Sequence, residues 1–142
     1  MRYLGLDLGT KTLGVAKTDK TGSFVTPLTV INFPFEDYES ALKNVLDLIK
    51  EYSIDKVVLG LPKNMDGSIG FAGKRSLNFK NMLENNGIIV ELEDERLTTK
   101  VAENIVHSNN DNIKNTKGKI DAIAASIILE SYLKRCNYDT QK

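Results

Sequence analysis

The chain has 142 residues, of which 41% are hydrophobic and 27% charged, the balance of an ordinary globular protein. That length accommodates one domain with a hydrophobic core, and we expect residues 1–142 to form a single domain. The sequence contains no apolar run near the roughly 20 residues of a membrane-spanning helix, and its first residues lack the apolar stretch of a signal peptide. We therefore expect a cytoplasmic protein with no membrane partner.

The cysteine, histidine and charge counts limit the chemistry further. One cysteine, Cys136, cannot form a disulfide within the chain, and one histidine, His107, is too few for a Cys/His zinc site. Any metal must therefore be held by oxygen ligands, which favours Mg²⁺ or Mn²⁺. Basic and acidic residues number 19 each, which counts against a purely electrostatic nucleic-acid clamp.

The hydrophobic pattern predicts three strands at residues 2–8, 12–18 and 23–31. Helical and strand periods then alternate. They predict a helix at 36–52, a strand at 56–59, a helix at 72–85, a strand at 88–92, a helix from Thr98 or Thr99 to 107, a polar loop at 108–117 and a helix at 119–134. This order requires an α/β fold with a mixed five-stranded sheet flanked by helices, three strands antiparallel and the last two parallel to the first. Functional sites in such sheets form beyond the carboxyl ends of the parallel strands.

Asp7 is the first candidate functional residue, because it interrupts an apolar strand. A carboxylate in a buried strand is costly unless it is hydrogen-bonded, paired or bound to a metal. Gly5 and Gly9 on either side would let another backbone or a phosphate approach closely, which favours a functional role. The alternative is that Asp7 caps the turn that follows the strand.

The second candidate is Glu95 or its neighbour Asp94, at the carboxyl end of a strand that we expect to be parallel to the first. Acidic residues that precede a helix complement its dipole, but that explanation suits one of the two better than both. The strand at 56–59 ends instead in Gly60 and supplies no carboxylate. The choice between Asp94 and Glu95 stays open on these grounds.

The third candidate is Asp121, in the first turn of the predicted last helix, where an acidic residue is favourable in any case. It shares the apolar face of that helix with Ala124, Ala125 and Ile128, which places it over the strand ends. Three converging carboxylates repel one another unless divalent cations lie between them. Two oxygen-bound Mg²⁺ ions about 3.5–4 Å apart would activate a water and stabilise the leaving oxygen of a phosphodiester.

Five motifs, in a fixed order over nearly the whole chain, form a specific joint pattern. They are Leu4-Gly5-Leu6-Asp7-Leu8-Gly9-Thr10-Lys11, Val58-Leu59-Gly60-Leu61-Pro62, Asn64-Met65-Asp66-Gly67-Ser68, Asp94-Glu95-Arg96-Leu97-Thr98-Thr99 and Lys117-Gly118-Lys119-Ile120-Asp121-Ala122-Ile123-Ala124-Ala125. This set resembles the YqgF family, bacterial proteins of the RNase H-like and Holliday-junction-resolvase-like class that are described as pre-16S rRNA nucleases. The resemblance implies an RNase H-like fold and a metal-dependent nuclease that processes the 5′ end of pre-16S rRNA in ribosome biogenesis.

The resemblance also implies roles for individual residues. It makes Asp7, Glu95 and Asp121 the catalytic carboxylates and metal ligands, and so selects Glu95 over Asp94. The implied substrate contacts, to phosphates, come from Lys11, Arg75, Arg96 and Lys119. The chain departs from the family pattern at Thr12, where Arg is frequent, and at Phe71-Ala72, where Pro-Arg is frequent. The lost basic residues weaken the expected grip on substrate and leave the metal ligands unchanged.

Three other functions compete with this interpretation. An ATP-binding domain of the actin and sugar-kinase superfamily has a phosphate motif that looks like Asp7-Leu8-Gly9-Thr10, but such proteins need two domains around the nucleotide. A nucleic-acid-binding module without catalysis would have no use for the set of acidic residues. A Holliday-junction resolvase, which acts on branched DNA, should dimerise to cut two symmetric strands, and the sequence shows no obvious dimer surface. We therefore expect pre-16S rRNA, within ribosomal precursor particles, to be the partner of a monomer or weak homodimer.

Overall fold

The computed structural model describes the backbone of residues 1–95 and 113–140, and the side chains of residues 1–95 and 120–136. In chain order its elements are β1 (Tyr3–Leu8), β2 (Thr12–Thr18), β3 (Val25–Asn32), α1 (Tyr38–Glu51), β4 (Lys56–Leu61), α2 (Phe71–Asn85), β5 (Val90–Asp94) and α3 (Ile113–Thr140). Within these ranges, no helix combines the length and the apolar character needed to cross a bilayer.

The five strands form one sheet in the order β3-β2-β1-β4-β5. β1, β2 and β3 pair antiparallel, whereas β4 and β5 run parallel to β1. The predicted mixed sheet is therefore confirmed. The carboxyl ends of β1, β4 and β5, the β1–β2 turn and the end of β3 all lie at the same edge of the sheet, which we call the carboxyl edge.

Helices cover both faces of the sheet. α1 and α2 pack on one face through an apolar core that includes Ala41, Leu42, Val45, Phe79 and Leu83. α3 packs on the other face through a smaller cluster of Ala16, Val58, Ala125, Ile128, Leu129 and Tyr132. Because strand side chains alternate, Leu4, Leu6 and Leu8 of β1 point into the first core, whereas Gly5 and Asp7 face α3.

Glycines allow α3 to lie close to the sheet. A Cβ atom on Gly5 would come within 2.9 Å of both the Ala125 carbonyl oxygen and the Leu129 Cβ. A Cβ atom on Gly14 would overlap the carbonyl group of Asp121. Only glycine leaves room for the helix backbone at these two positions, and this close approach sets the height of Asp121 above the strands.

The last helix begins earlier than its sequence pattern predicts. α3 starts at Ile113, so the predicted loop at 108–117 is wrong over residues 113–117. That segment contains no proline, and Gly118, which directly follows it, costs only about 1 kcal/mol in a helix interior. Asp121 consequently lies in the third turn of the helix, where the helix dipole does not account for an acidic residue. The helix predicted from Thr98 or Thr99 to 107 lies outside the described residues.

Smaller differences affect the strand ends. β4 extends to Leu61, and β5 begins at Val90 and ends at Asp94, two residues later than predicted at each end. Gly87, with φ of +79°, follows α2 in a left-handed conformation, and the chain needs Ile88 and Ile89 to reach the sheet. This shift brings Glu95 to the first position after β5.

Candidate active site

Asp7 lies near the carboxyl end of β1, the central strand, and faces α3. Its cross-strand neighbour on β2 is Gly14, the glycine on which the backbone of Asp121 rests. Directly opposed residues of an antiparallel pair share a face of the sheet. The close contact at Gly14 therefore brings the third turn of α3 beside Asp7.

Glu95 follows β5 and reaches across the end of β4. Its side chain is 9% exposed, and a Cβ atom on Gly60 would overlap its Oε2 and come within 2.6 Å of Ile128 Cδ1. As the sequence indicates, β4 supplies no carboxylate at this position. The missing side chain of Gly60 instead leaves the space that the Glu95 carboxylate occupies. Asp94 points to the opposite side, where its Oδ2 lies 4.0 Å from Lys63 Nζ.

The Asp7 and Glu95 carboxyl groups are hydrogen-bonded to each other. Burial raises the pKa of Asp7 to about 6; the hydrogen bond from Glu95 opposes that shift, and the charge of Asp121 adds to it. Burial also raises the pKa of Glu95 to about 9, and the charge of Asp7 contributes in the same direction. Without a cation, the pair therefore retains one proton near neutral pH, with Glu95 donating to the Asp7 carboxylate.

Asp121 is the more distant member of the three. Its charge acts on Asp7, but no group of three or more His, Cys, Asp or Glu side chains is arranged to hold a metal ion within the part of the chain that the structure describes. The structure thus brings Asp7 and Glu95 into contact and places Asp121 near enough to Asp7 for its charge to raise the pKa of Asp7.

The donor atoms nevertheless fit a hard divalent cation. Glu95 Oε2 is buried and has no hydrogen-bond partner among the described residues. A buried acceptor without a donor is costly, and a cation bound by carboxylate oxygens would satisfy it and favour ionisation of both Asp7 and Glu95. An all-oxygen site of this kind suits Mg²⁺ or Mn²⁺ better than zinc.

The structure places the four basic residues implied as substrate contacts in different parts of the fold, and it does not describe all of them. Lys11 is exposed in the β1–β2 turn, at the same sheet edge as Asp7. Arg75 is half-buried in α2, on the face of the sheet opposite α3. Lys119 belongs to α3, two residues before Asp121, but only its backbone is described, and Arg96 lies outside the described residues.

Sequence reasoning missed Glu93, a buried acidic residue of β5 that ties the strand to α3. Ser131 Oγ donates to one carboxylate oxygen of Glu93 at 2.7 Å, and Arg135 Nη2 donates to the other at 2.6 Å. Strand alternation could have found it, because Leu92 faces the main core and Glu93 and Glu95 do not. The same alternation separates Glu95 from Asp94 without a family comparison.

The fold defines the class of protein. The structure of Thermus thermophilus RuvC in complex with a Holliday junction substrate matches this one with a TM-score of 0.61 over 96% of each chain, at 13% identity. The fold is therefore that of the RNase H-like resolvases. The family model RuvX, described as Holliday junction resolvase, matches residues 1–135, and the chain belongs to this family.

The chain is also similar to curated proteins and to a second group of solved structures. A protein of Bacillus subtilis (strain 168) named "Putative pre-16S rRNA nuclease" is 44% identical over 138 residues, which is 96% of this chain and 100% of the relative. The resemblance inferred from the five motifs is thus confirmed. A ROK family protein from Streptococcus pneumoniae, solved with sucrose, also has a similar fold, with a TM-score of 0.51 and 20% identity, over 76% of this chain but 39% of that one.

Proposed function

We propose that the chain is a divalent-metal-dependent nuclease that hydrolyses phosphodiester bonds and processes the 5′ end of pre-16S rRNA in ribosome biogenesis. The observation that carries the proposal is the buried Asp7–Glu95 pair beside Asp121, at the carboxyl edge of a resolvase-type sheet. Burying two carboxyl groups side by side is costly, because desolvation and mutual repulsion both oppose their ionisation. Its cost is offset when a cation and a phosphodiester occupy the site.

Asp7, Glu95 and Asp121 would hold the metal, Mg²⁺ or Mn²⁺. When bound, such ions activate a water and stabilise the leaving oxygen of the phosphodiester. Asp7 contributes a carboxylate from a rigid central strand, and Glu95 contributes the unpartnered Oε2. Binding requires Glu95 to release the proton that it shares with Asp7, so metal affinity should rise with pH.

The substrate would be held by basic groups around this edge. Lys11 is the implied phosphate contact whose exposed side chain the structure describes beside β1. We assign Arg75, Arg96 and Lys119 the same role by family resemblance. The chain would act as one domain over residues 1–142, in the cytoplasm, on ribosomal precursor particles, as a monomer or weak homodimer.

Resolution of Holliday junctions is the second candidate, and the RuvX family description and the fold shared with RuvC favour it. RNA processing is preferred because the curated relative with that name is 44% identical, whereas RuvC is 13% identical. Both substrates present phosphodiesters to the same carboxylates, so the acidic site alone does not choose between them.

The test offers the purified protein with Mn²⁺ both substrates, a structured RNA that spans the 16S 5′ end and a four-way DNA junction. We expect wild type to cut the RNA and Asp7→Asn to lose this activity. In cells depleted of the protein, mapping of 16S 5′ ends should show unprocessed precursor. Equal cleavage by wild type and Asp7→Asn would indicate a contaminant, and symmetric cutting of the junction alone would establish the resolvase function instead.

A further inference from the structure

The loop between β3 and α1 is fastened to the β1–β2 turn. The Phe33 amide donates to the Lys11 carbonyl at 2.9 Å, and the Glu36 amide donates to the Thr10 carbonyl at 2.9 Å. Glu36 itself has φ of +59°, a left-handed conformation that few non-glycine residues adopt. A strained residue persists only where its surroundings fix it, so the residue between these anchors, Phe35, is held in place.

Phe35 does not serve the core. Its side chain is 62% exposed, while Phe33 is buried and packs against Tyr38 with ring centroids 5.8 Å apart. Phe33 and Tyr38 thus provide the packing of this loop against the core. The exposed ring of Phe35 therefore adds little to the stability of the fold.

A cation lies over this ring. Lys11 Nζ is 6.0 Å from the centroid of Phe35, within the range of a cation–π contact. Such a contact covers one face of a ring and leaves the other available. Lys11 and Phe35 together therefore offer a positive charge and an aromatic surface side by side.

The Lys11–Phe35 pair is close to the acidic site. Thr12 is paired with Asn32 and Leu8 with Leu13, so the loop after β3 lies at the carboxyl edge, where Asp7 is located. Thr10 follows Asp7 by three residues, so the two lie at most about 10 Å apart, the length of three residues of fully extended chain. A short stretch of nucleic-acid strand would bridge the two places.

We propose that Phe35 stacks on an unpaired base of the substrate strand and that Lys11 binds a neighbouring phosphate, so that the pair positions a single-stranded segment across Asp7. This inference rests on the proposed nuclease function and specifies the substrate: the strand near the scissile bond is unpaired. Stacking on aromatic side chains is the usual way in which proteins hold single strands, and it tolerates any base.

The test uses full-length protein with Asp7→Asn, which prevents cleavage, and a single-stranded RNA of the 16S 5′ region that carries the fluorescent base 2-aminopurine. Stacking quenches this base. We expect Phe35→Ala to abolish the quenching and to weaken binding about tenfold, or about 1.4 kcal/mol, because one stacked base is lost. Phe35→Trp should retain the quenching and the affinity. The slope of log Kobs against log salt is negative, and Lys11→Ala should reduce its magnitude by about 0.7.

Phe24 is the matched control, because it is also exposed, at 74%, but lies in the β2–β3 turn at the opposite edge of the sheet. Phe24→Ala should change neither quenching nor affinity, and all variants should keep the thermal midpoint of their parent. If Phe35→Ala behaves like Phe24→Ala while wild type cleaves RNA, the stacking role is wrong and the nuclease function stands. If the protein neither binds nor cleaves RNA, both are wrong.

Discussion

Asp7 and Glu95 are ionisable groups that the fold buries side by side. Burial raises both pKa values, and the charge of Asp7 raises that of Glu95 further. A folded chain that only had to be stable would not keep such a pair. The arrangement fits the proposed binding of a divalent cation, which would offset the cost of burying these oxygens.

The raised pKa values of Asp7 and Glu95 make the stability of the metal-free protein depend on pH. A folded-state pKa above the unfolded value stabilises the protein below the unfolded pKa, and that contribution is lost as the pH rises through the folded value. The window runs from 3.8 to about 6 for Asp7 and from 4.5 to about 9 for Glu95. We expect the Tm of metal-free wild type to fall across this range.

Asp7→Asn should flatten that decline and stabilise the metal-free protein by about 1–3 kcal/mol above neutral pH, because it removes the buried charge. Asp47→Asn, at an exposed position of α1, is the control and should behave as wild type. Mn²⁺ should raise the Tm of wild type and of the control but not of Asp7→Asn. An Asp7→Asn variant less stable than wild type at every pH would contradict the account.

At the scale of elements, the site depends on how closely α3 and the end of β5 approach the central strands. Gly14 gives the room for the backbone of Asp121, and Gly60 gives the room for the carboxylate of Glu95. Glu93, held by Ser131 and Arg135, links β5 to α3 beyond this point. The position of the three carboxylates thus depends on the packing between elements as well as on where each residue lies along its strand or helix.

We therefore predict that Gly14→Ala displaces α3. Its methyl group would overlap the Asp121 carbonyl, a backbone group that cannot rotate away, so we expect a loss of about 1–3 kcal/mol in the free energy of unfolding and a loss of cleavage. Gly70→Ala is the matched control, because the nearest atoms to its Cβ are 3.6 Å away. Denaturant unfolding of both variants measures the difference. A Gly14→Ala protein with wild-type stability would show that α3 does not rest on this glycine.

At the scale of the whole molecule, the directions of the strands and the presence of flanking helices could be predicted from the sequence, because hydrophobic periods and the handedness of crossovers constrain them strongly. Asp7 could also be found, since a carboxylate within an apolar strand conflicts with its surroundings. The start of α3 could not, because a polar segment without proline is compatible with helix or loop. The role of Gly14 was equally hidden, since a glycine in a strand does not reveal which backbone approaches it.

The central claim is that Glu95, and not the adjacent Asp94, joins Asp7 and Asp121 in metal-dependent phosphodiester hydrolysis. The most direct test compares cleavage of a 16S precursor RNA with Mn²⁺ by wild type, Glu95→Gln and Asp94→Asn. Both variants remove one acidic charge, but only Glu95 faces α3 and contacts Asp7. We predict that Glu95→Gln lowers the rate at least about a hundredfold, since even groups that merely support metal ligands matter by about 10–100-fold, while Asp94→Asn stays near wild type. Equal rates for the two variants, whether both lost or both retained, would contradict the account.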